Sequence, residues 1–509
     1  MTSFSQTAPA IEWQNTIGGS GSEQFNSIRQ TADGGYILGG WSNSNISGDK
    51  TENCIGGGPY GDYWIIKTDA FGFIQWQNTI GGNGNDYLYT IEQTSDGGYI
   101  LGGYSFSGIS GDKTEGNIGD GDYWIVKTDP SGNIQWQNTV GGNSEDELYS
   151  VQQTSDGGYI LGGWSQSHIS GDKTEDLIGG SDYWIVKTDS LGNIQWQNTI
   201  GGNDFDWFYS IKQTSDGGYI LGGNSKSNIS GDKTENCIGG GPYGDYWIIK
   251  TDAFGFIQWQ NTIGGNDNEE LSSVFQTLDG GYMIAGFSWS NISGDKTENC
   301  NGNRDYWIVK TDASGNIQWQ NTIGGSYANL LYSLQQTSDG GYILGGFSYS
   351  NISGDKTENN LDSTSQTADY WIVKTDVSGN IQWDNTIGGI DDDRLFSIQQ
   401  TSDGGYILGG YSRSNISGDK TENNWDTICN PFCTPDYWII KLFPDTITGI
   451  PNFQHSTFNL QFFPNPLTTQ STLTFSNPRN EKFIFTLYDI TGRMCEISPL
   501  ERGKGCVIT

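Results

Sequence analysis

Histidine is almost missing from this chain of 509 residues: there are two, His168 and His455. Neither a Ser-His-Asp triad nor a histidine-based metal centre has its materials here. Positive charge is scarce as well, with 25 Lys and Arg against 59 Asp and Glu and a formal charge of −34. That balance argues against nucleic acid and anionic membranes as partners, because both attract basic side chains. No segment reaches the roughly twenty apolar residues of a transmembrane helix. Helical periodicity and capped helix starts are missing from residues 11–442. The stretch Met1 to Ala10 has neither a basic n-region nor an apolar h-region, so a signal peptide is expected to be absent or already removed.

What the chain has is glycine, 75 residues of it, and a repeat. Asp-Gly-Gly-Tyr begins at Asp33, Asp96, Asp156, Asp216, Asp279, Asp339 and Asp403, at intervals of 60 to 64 residues. Each unit also carries an Asp-Tyr-Trp triplet, as at Asp62 and Asp122, and a second tryptophan, typified by Trp136 in Ile-Gln-Trp-Gln-Asn. One unit reads as four strands: A (Leu148 to Thr154), B (Gly158 to Trp164), C (Tyr183 to Thr188) and D (Asn193 to Ile200). They are short, rich in Ile, Val, Tyr, Trp and Thr, and bounded by Gly, Asp, Asn and Ser. Four strands in each of seven units predict an all-β, seven-bladed β-propeller, where radial repetition disposes of exposed sheet edges. Residues 11–17 form an isolated D strand and the seventh unit lacks one, so the N-terminus is expected to complete the last blade. An open β-solenoid is the alternative reading of the same period.

The reading divides the chain into an N-terminal segment (1–10), the propeller (11–442), a linker (443–461) and a C-terminal domain (462–509). The repeat region, with its Thr-x-Asp-Gly-Gly-Tyr, Tyr-Trp-(Ile/Val)-x-Lys and Gly-Asn-Ile-Gln-Trp phrases, resembles the glycine-rich propeller-like arrays of secreted bacterial proteins. After it, Phe462-Phe463-Pro464-Asn465-Pro466 leads into Ser471 to Phe475, then Phe483 to Asp489, Thr491, Gly492 and Arg493. This resembles the type A C-terminal sorting domain of type IX secretion substrates, a small β-sandwich. The resemblance implies export, recognition by the type IX secretion machinery, and a place outside the cell or on the outer surface of a Gram-negative bacterium. The closing strands of such domains are not recognisable in Glu501 to Thr509, so this copy reads as truncated.

Short A-to-B and C-to-D turns must share one side of the ring, and the long D-to-A and B-to-C connections the other. Binding residues concentrate on such long loops. At the start of the B-to-C loop the seven copies disagree at one position: Asn43, Phe106, Gln166, Lys226, Trp289, Tyr349 and Arg413. With Trp207 and Trp425 these are the candidate ligand-binding residues, since exposed aromatics can stack on sugars or anchor a protein partner. Relaxed selection on exposed loops would give the same variation.

Ser-Gly-Asp-Lys-Thr-Glu recurs in every unit, and Asp49, Glu52 and Asp62 with their equivalents offer oxygen ligands for calcium. The competing reading is a turn held by local hydrogen bonds and an Asp–Lys–Glu charge cluster. Cys429 with Cys433 and Cys495 with Cys506 are disulfide candidates, although spacing alone equally allows free thiols. No catalytic residue and no cofactor beyond calcium is assigned. The expectation is a secreted or surface-displayed, non-enzymatic binding or adhesion module for glycan or surface protein. The alternatives are a polysaccharide hydrolase or lyase using carboxylates on the propeller face, and a structural surface-layer protein.

Overall fold

The computed structural model describes residues 6–56, 59–239, 244–362, 366–426 and 433–445, together with the backbone of five short strands beyond residue 460. Residues 1–446 form one compact unit and residues 447–509 a second. In the first unit the described strands make seven four-stranded antiparallel sheets. Blade 1 is Glu23–Gln30, Tyr36–Ser42, Asp62–Thr68 and Ile74–Ile80, strands A to D. In blade 3 strand A is Asp146–Gln153, two residues longer at its start than the hydrophobic pattern predicts, because Asp146 pairs with Ser165 across the ladder.

Blade 7 is the exception that closes the ring. Its sheet runs from Asp393–Gln400 through Tyr406–Ser412 and Asp436–Leu442 to Ile11–Ile17, the first strand of the chain. Contacts between blades repeat around the circle. The hydroxyl of Tyr63 donates to the Trp124 carbonyl at 3.0 Å, and Tyr437 reaches the Trp64 carbonyl at 3.5 Å, from blade 7 to blade 1. Likewise Asn78 donates to Gly132 O at 2.7 Å, and Asn15 of the borrowed strand to Gly72 O at 2.8 Å.

The core lies between blades. The Asp-Tyr-Trp tryptophans, such as Trp64 and Trp124, are fully buried, and adjoining sheets sandwich Ile, Leu and Tyr around them. The second tryptophans sit on the outermost strand, where one side meets solvent; except for Trp383 they are only half-buried, each packed edge-on against a tyrosine as Trp76 is on Tyr99. Strand B carries paired glycines in six of the seven blades because packing is close on both sides: a Cβ on Gly162 would land on the Phe208 ring of the next blade, and one on Gly163 on the Glu147 carbonyl of its own blade and the Tyr123 hydroxyl of the previous one.

Polar groups lock each seam. Lys50 and its six equivalents are buried, with Lys50 Nζ 5.0 Å from the centre of the Trp64 ring and 2.5 Å from Thr79 Oγ1. The Ser-Gly-Asp-Lys-Thr-Glu loop is therefore held by a cation–π contact. Among the described residues the lysine makes no direct ion pair with Asp49 or Glu52, contrary to a simple charge cluster. Beside it Asp62 is fully buried and faces Asp86 of the next blade. Six such seams bring two carboxyls together; the seventh sets Asp305 against Asn329.

In the second unit, Gln461–Phe463, Ser471–Thr474 and Cys506–Ile508 form a three-stranded antiparallel sheet, and Leu487–Tyr488 pairs with Met494–Cys495. A strand thus ends the chain in the stretch where the sequence shows no recognisable closing strand.

Candidate functional site

Strand A is innermost, and its upper end meets the D-to-A and B-to-C loops. The short turns lie at the other end: Thr31 N donates to Gly35 O at 2.9 Å, Gly34 takes φ 85°, and Lys67 reaches Asp33 at 2.9 Å. The Thr-x-Asp-Gly-Gly phrase is accordingly a turn, its lysine tying the A-to-B turn to strand C.

A cavity of about 490 Å³ occupies the axis, lined by strand A residues. A β-bulge in each A strand falls at Asn26, Tyr89, Tyr149, Tyr209, Ser272, Tyr332 and Phe396, and all seven line the cavity. Tyr89, Tyr149 and Tyr209 form one arc, with ring centroids 4.6 and 5.4 Å apart. Tyr332 and Phe396, 5.0 Å apart, form a second. Toward the turn side Lys212 of blade 4 pairs with Glu92 of blade 2 at 3.2 Å.

Above this girdle lie the seven divergent loop residues. Each is fixed by the same bond, its backbone N–H donating to a D-to-A carbonyl: Asn43 to Ser22, Phe106 to Asn85, Gln166 to Glu145, Lys226 to Phe205, Trp289 to Asn268, Tyr349 to Ala328 and Arg413 to Asp392. Their side chains then differ in use. Asn43 turns back to accept from Ser22 N at 2.7 Å. Phe106 packs on Tyr87 and Tyr104. Lys226 Nζ lies 4.8 Å over Trp207, which is a strand A residue. Trp289 sits under Arg304 at 5.2 Å, and the Tyr349 hydroxyl accepts from Arg394 at 3.0 Å.

Trp425 is placed elsewhere. Its indole donates to Asp49 at 2.8 Å and covers Gly48, as Ile55 covers Gly111 and Leu361 covers Gly418. Asp49 N in turn donates to Gly18 O, directly after the outermost strand, so Trp425 belongs to a blade seam near the outer rim.

The calcium candidates are each engaged by a separate backbone amide: Asp49 by Gly18 at 3.2 Å, Glu52 by Thr79 at 2.6 Å, Asp62 by Ile55 at 2.6 Å. Among the described residues no group of three or more His, Cys, Asp or Glu is placed to hold one metal ion. Cys433 is disulfide-bonded. Cys429 lies outside the described residues, as do the side chains of Cys495 and Cys506.

Two groups of functional interest are not singled out by the loop comparison. One is the aromatic girdle; the other is the arginines Arg304 and Arg394. Fourteen of the sixteen lysines in residues 11–442 are the buried repeat lysines. The six remaining cations, Arg29, Lys212, Lys226, Arg304, Arg394 and Arg413, all lie on the channel or at its mouth. Carboxylates at the mouth are perturbed by burial: Glu147, accepting from the Tyr149 hydroxyl at 2.6 Å, is pushed up to about 7.

No family model matches the chain. Regulatory protein FlaEY of Caulobacter vibrioides is 27% identical over 178 residues, which is 32% of this chain and 18% of that protein. Among solved structures, a protein of unknown function from Dyadobacter fermentans superposes with a TM-score of 0.44 at 9% identity, covering 85% of this chain and 99% of the other. The Pan2 WD40 domain of Neurospora crassa gives 0.44 at 9% identity, with 85% and 96% covered. Puromycin hydrolase gives 0.45 at 11%, with 97% and 61% covered.

Proposed function

We propose that this propeller is a non-enzymatic binding module, displayed outside the cell, that takes a glycan at the mouth of its axial channel. One observation carries the reading: the repeat copies agree along the strands between blades and disagree at channel and mouth positions, where aromatic and cationic side chains accumulate. Rings such as Tyr209, Trp289 and Tyr349 offer flat apolar faces with a polar edge, suited to a sugar ring. The rigid scaffold holds them without an ordering cost on binding. Placement outside the cell rests on the tail that resembles a sorting domain, which would engage the type IX secretion machinery. A surface protein is the second partner class.

A glycan array with the full chain tests this. Retained glycan without products supports the binding module. A hydrolase or lyase is the second reading, because Glu147 near 7 has the protonation expected of a general acid; it predicts cleavage products that vanish in Glu147→Gln. Silence on both counts leaves a structural surface-layer role.

A further inference from the structure

Blades 5 to 7 hold three arginines around two tyrosines. Arg394 lies 5.1 Å over Phe347 and 5.9 Å over Tyr411, and bonds the Tyr349 hydroxyl. Arg304 covers Trp289 and, at 6.0 Å, Phe287. Arg413 and Arg394 both act on Tyr411, and Arg304 and Arg394 both act on Tyr349, so the three guanidiniums share one sector. The sector is continuous with the cavity: Tyr332, a lining residue, stacks on Phe347 at 5.4 Å.

Two of these cations are left without an ion pair in an acid-rich chain. With 59 Asp and Glu available, only Asp392 pairs with any of the three among the described residues, 2.6 Å from Arg394. Arg304 and Arg413 make no side-chain hydrogen bond or ion pair among those residues, and the Nε atoms of all three are buried without a partner. Glu270 and Asp391 stand nearby, Glu270 facing Arg304 and Lys226, and Asp391 facing Asp362, Asp392 and Arg413. An unsatisfied guanidinium donor costs free energy that a carboxylate ligand would offset, and the planar fork matches a carboxylate in two-point contact.

From this geometry we infer that the blade 5 to 7 sector of the mouth binds a carboxylate-bearing sugar, a uronic-acid unit, with the arginines on the carboxylate and Trp289, Tyr349 and the exposed Tyr327 against the ring. The inference rests on the glycan reading above and adds the charge of the sugar. A short acidic oligosaccharide fits better than a long polyanion, which the overall charge of −34 would repel. An acidic peptide would use the guanidiniums and leave the flat faces idle.

Calorimetric titration of the full chain with trigalacturonic acid and with its fully methyl-esterified counterpart tests the inference. The acid trimer should bind at least about tenfold more tightly than the ester, the difference expected of charge-assisted hydrogen bonds. Arg304→Gln with Arg413→Gln should erase that preference, and Lys at both positions should restore part of it. Equal binding of acid and ester overturns the acidic-sugar inference while leaving the glycan reading intact; failure of both trimers, beside retention of neutral glycans on the array, does the same. Preference for a hexaglutamate peptide over the acid trimer overturns it in favour of a protein partner. The esterified probe keeps the test decisive even where the variants fold poorly.

Discussion

Gln14 accepts a hydrogen bond from the indole Nε1 of Trp438 at 3.0 Å, spanning 424 residues of sequence. The same bond, from Trp64 to Gln77 at 3.0 Å, is made inside blade 1 across 13 residues. The borrowed first strand therefore reproduces the contacts of a native fourth strand, down to Lys420 bonding Thr16 as Lys50 bonds Thr79, with Glu12 pairing Lys441 where Gln75 bonds Lys67.

Removal of residues 1–18 is accordingly expected to destabilise the whole ring. A ladder from Ile11 to Ile17 and its side-chain bonds are lost together, on the order of 5 kcal/mol at about 1 kcal/mol per net hydrogen bond. Thermal melting measured by circular dichroism should show a broad, early transition, partly rescued by adding the peptide of residues 8–19. An unchanged melting temperature would mean that blade 7 is stable with three strands.

The seams predict an unusual pH profile. Burial first, and the facing carboxyl second, push Asp62 up to about 7, Asp182 to about 7, Asp369 to about 8 and Asp436 to about 9. The native ring therefore keeps protons that the unfolded chain sheds near 3.8. Their contribution is complete below that value and is lost progressively as pH rises from about 4, until each group's own folded value of about 7 to 9 is passed. Asp96, Asp156 and Asp216 act oppositely. Held at about 2 by hydrogen bonds and their lysines, despite some burial, they stabilise above 3.8 and fail as pH falls toward 2. Maximum stability is expected near pH 4. Melting temperatures that stay level from pH 5 to pH 9 would contradict this.

One seam supplies its own control. Asn329 donates to Asp305 Oδ1 at 2.7 Å, whereas the corresponding oxygen of Asp436 meets the Glu23 carboxyl and finds no N–H donor. Glu23→Gln should supply the missing donor and flatten the alkaline limb by one proton, about 1.4 kcal/mol per pH unit. Denaturant midpoints at pH 6 and pH 9 would measure it.

Two glycines six positions apart, Gly157 and Gly163, should respond very differently to alanine. At Gly163 the new Cβ would strike a backbone carbonyl of strand A, and a cost of about 3 kcal/mol or more is expected. Gly157, the first of the pair that opens the B strand, has φ 86° but open space around it, so only the left-handed backbone penalty applies, about 1 to 2 kcal/mol. Equilibrium unfolding of Gly157→Ala and Gly163→Ala distinguishes steric from conformational cost.

Strand order, blade number and ring closure could be read from the sequence because they depend on period and on complementary ends, both of which survive in one chain. The axial site was harder to see. Strand A reads as plain alternation, and nothing in Asp86 to Gln93 announces the bulge at Tyr89 that turns its ring into the channel. The comparison among copies that exposed Trp289 and Arg413 would also have exposed Arg394, whose equivalents are Gln24, Tyr87, Glu147, Trp207, Glu270 and Leu330. Trp425 shows the opposite limit: an exposed aromatic in a long loop reads as a binding residue, yet its contacts are those of a seam.

The most direct measurement places three full-length proteins on one glycan array: the unaltered chain, a mouth variant combining Trp207→Ala, Trp289→Ala and Tyr349→Ala, and Trp425→Ala. The expected result is that the unaltered chain and Trp425→Ala retain the same glycans and that the mouth variant retains none. Retention unchanged in the mouth variant, or lost with Trp425→Ala alone, would contradict recognition at the channel mouth.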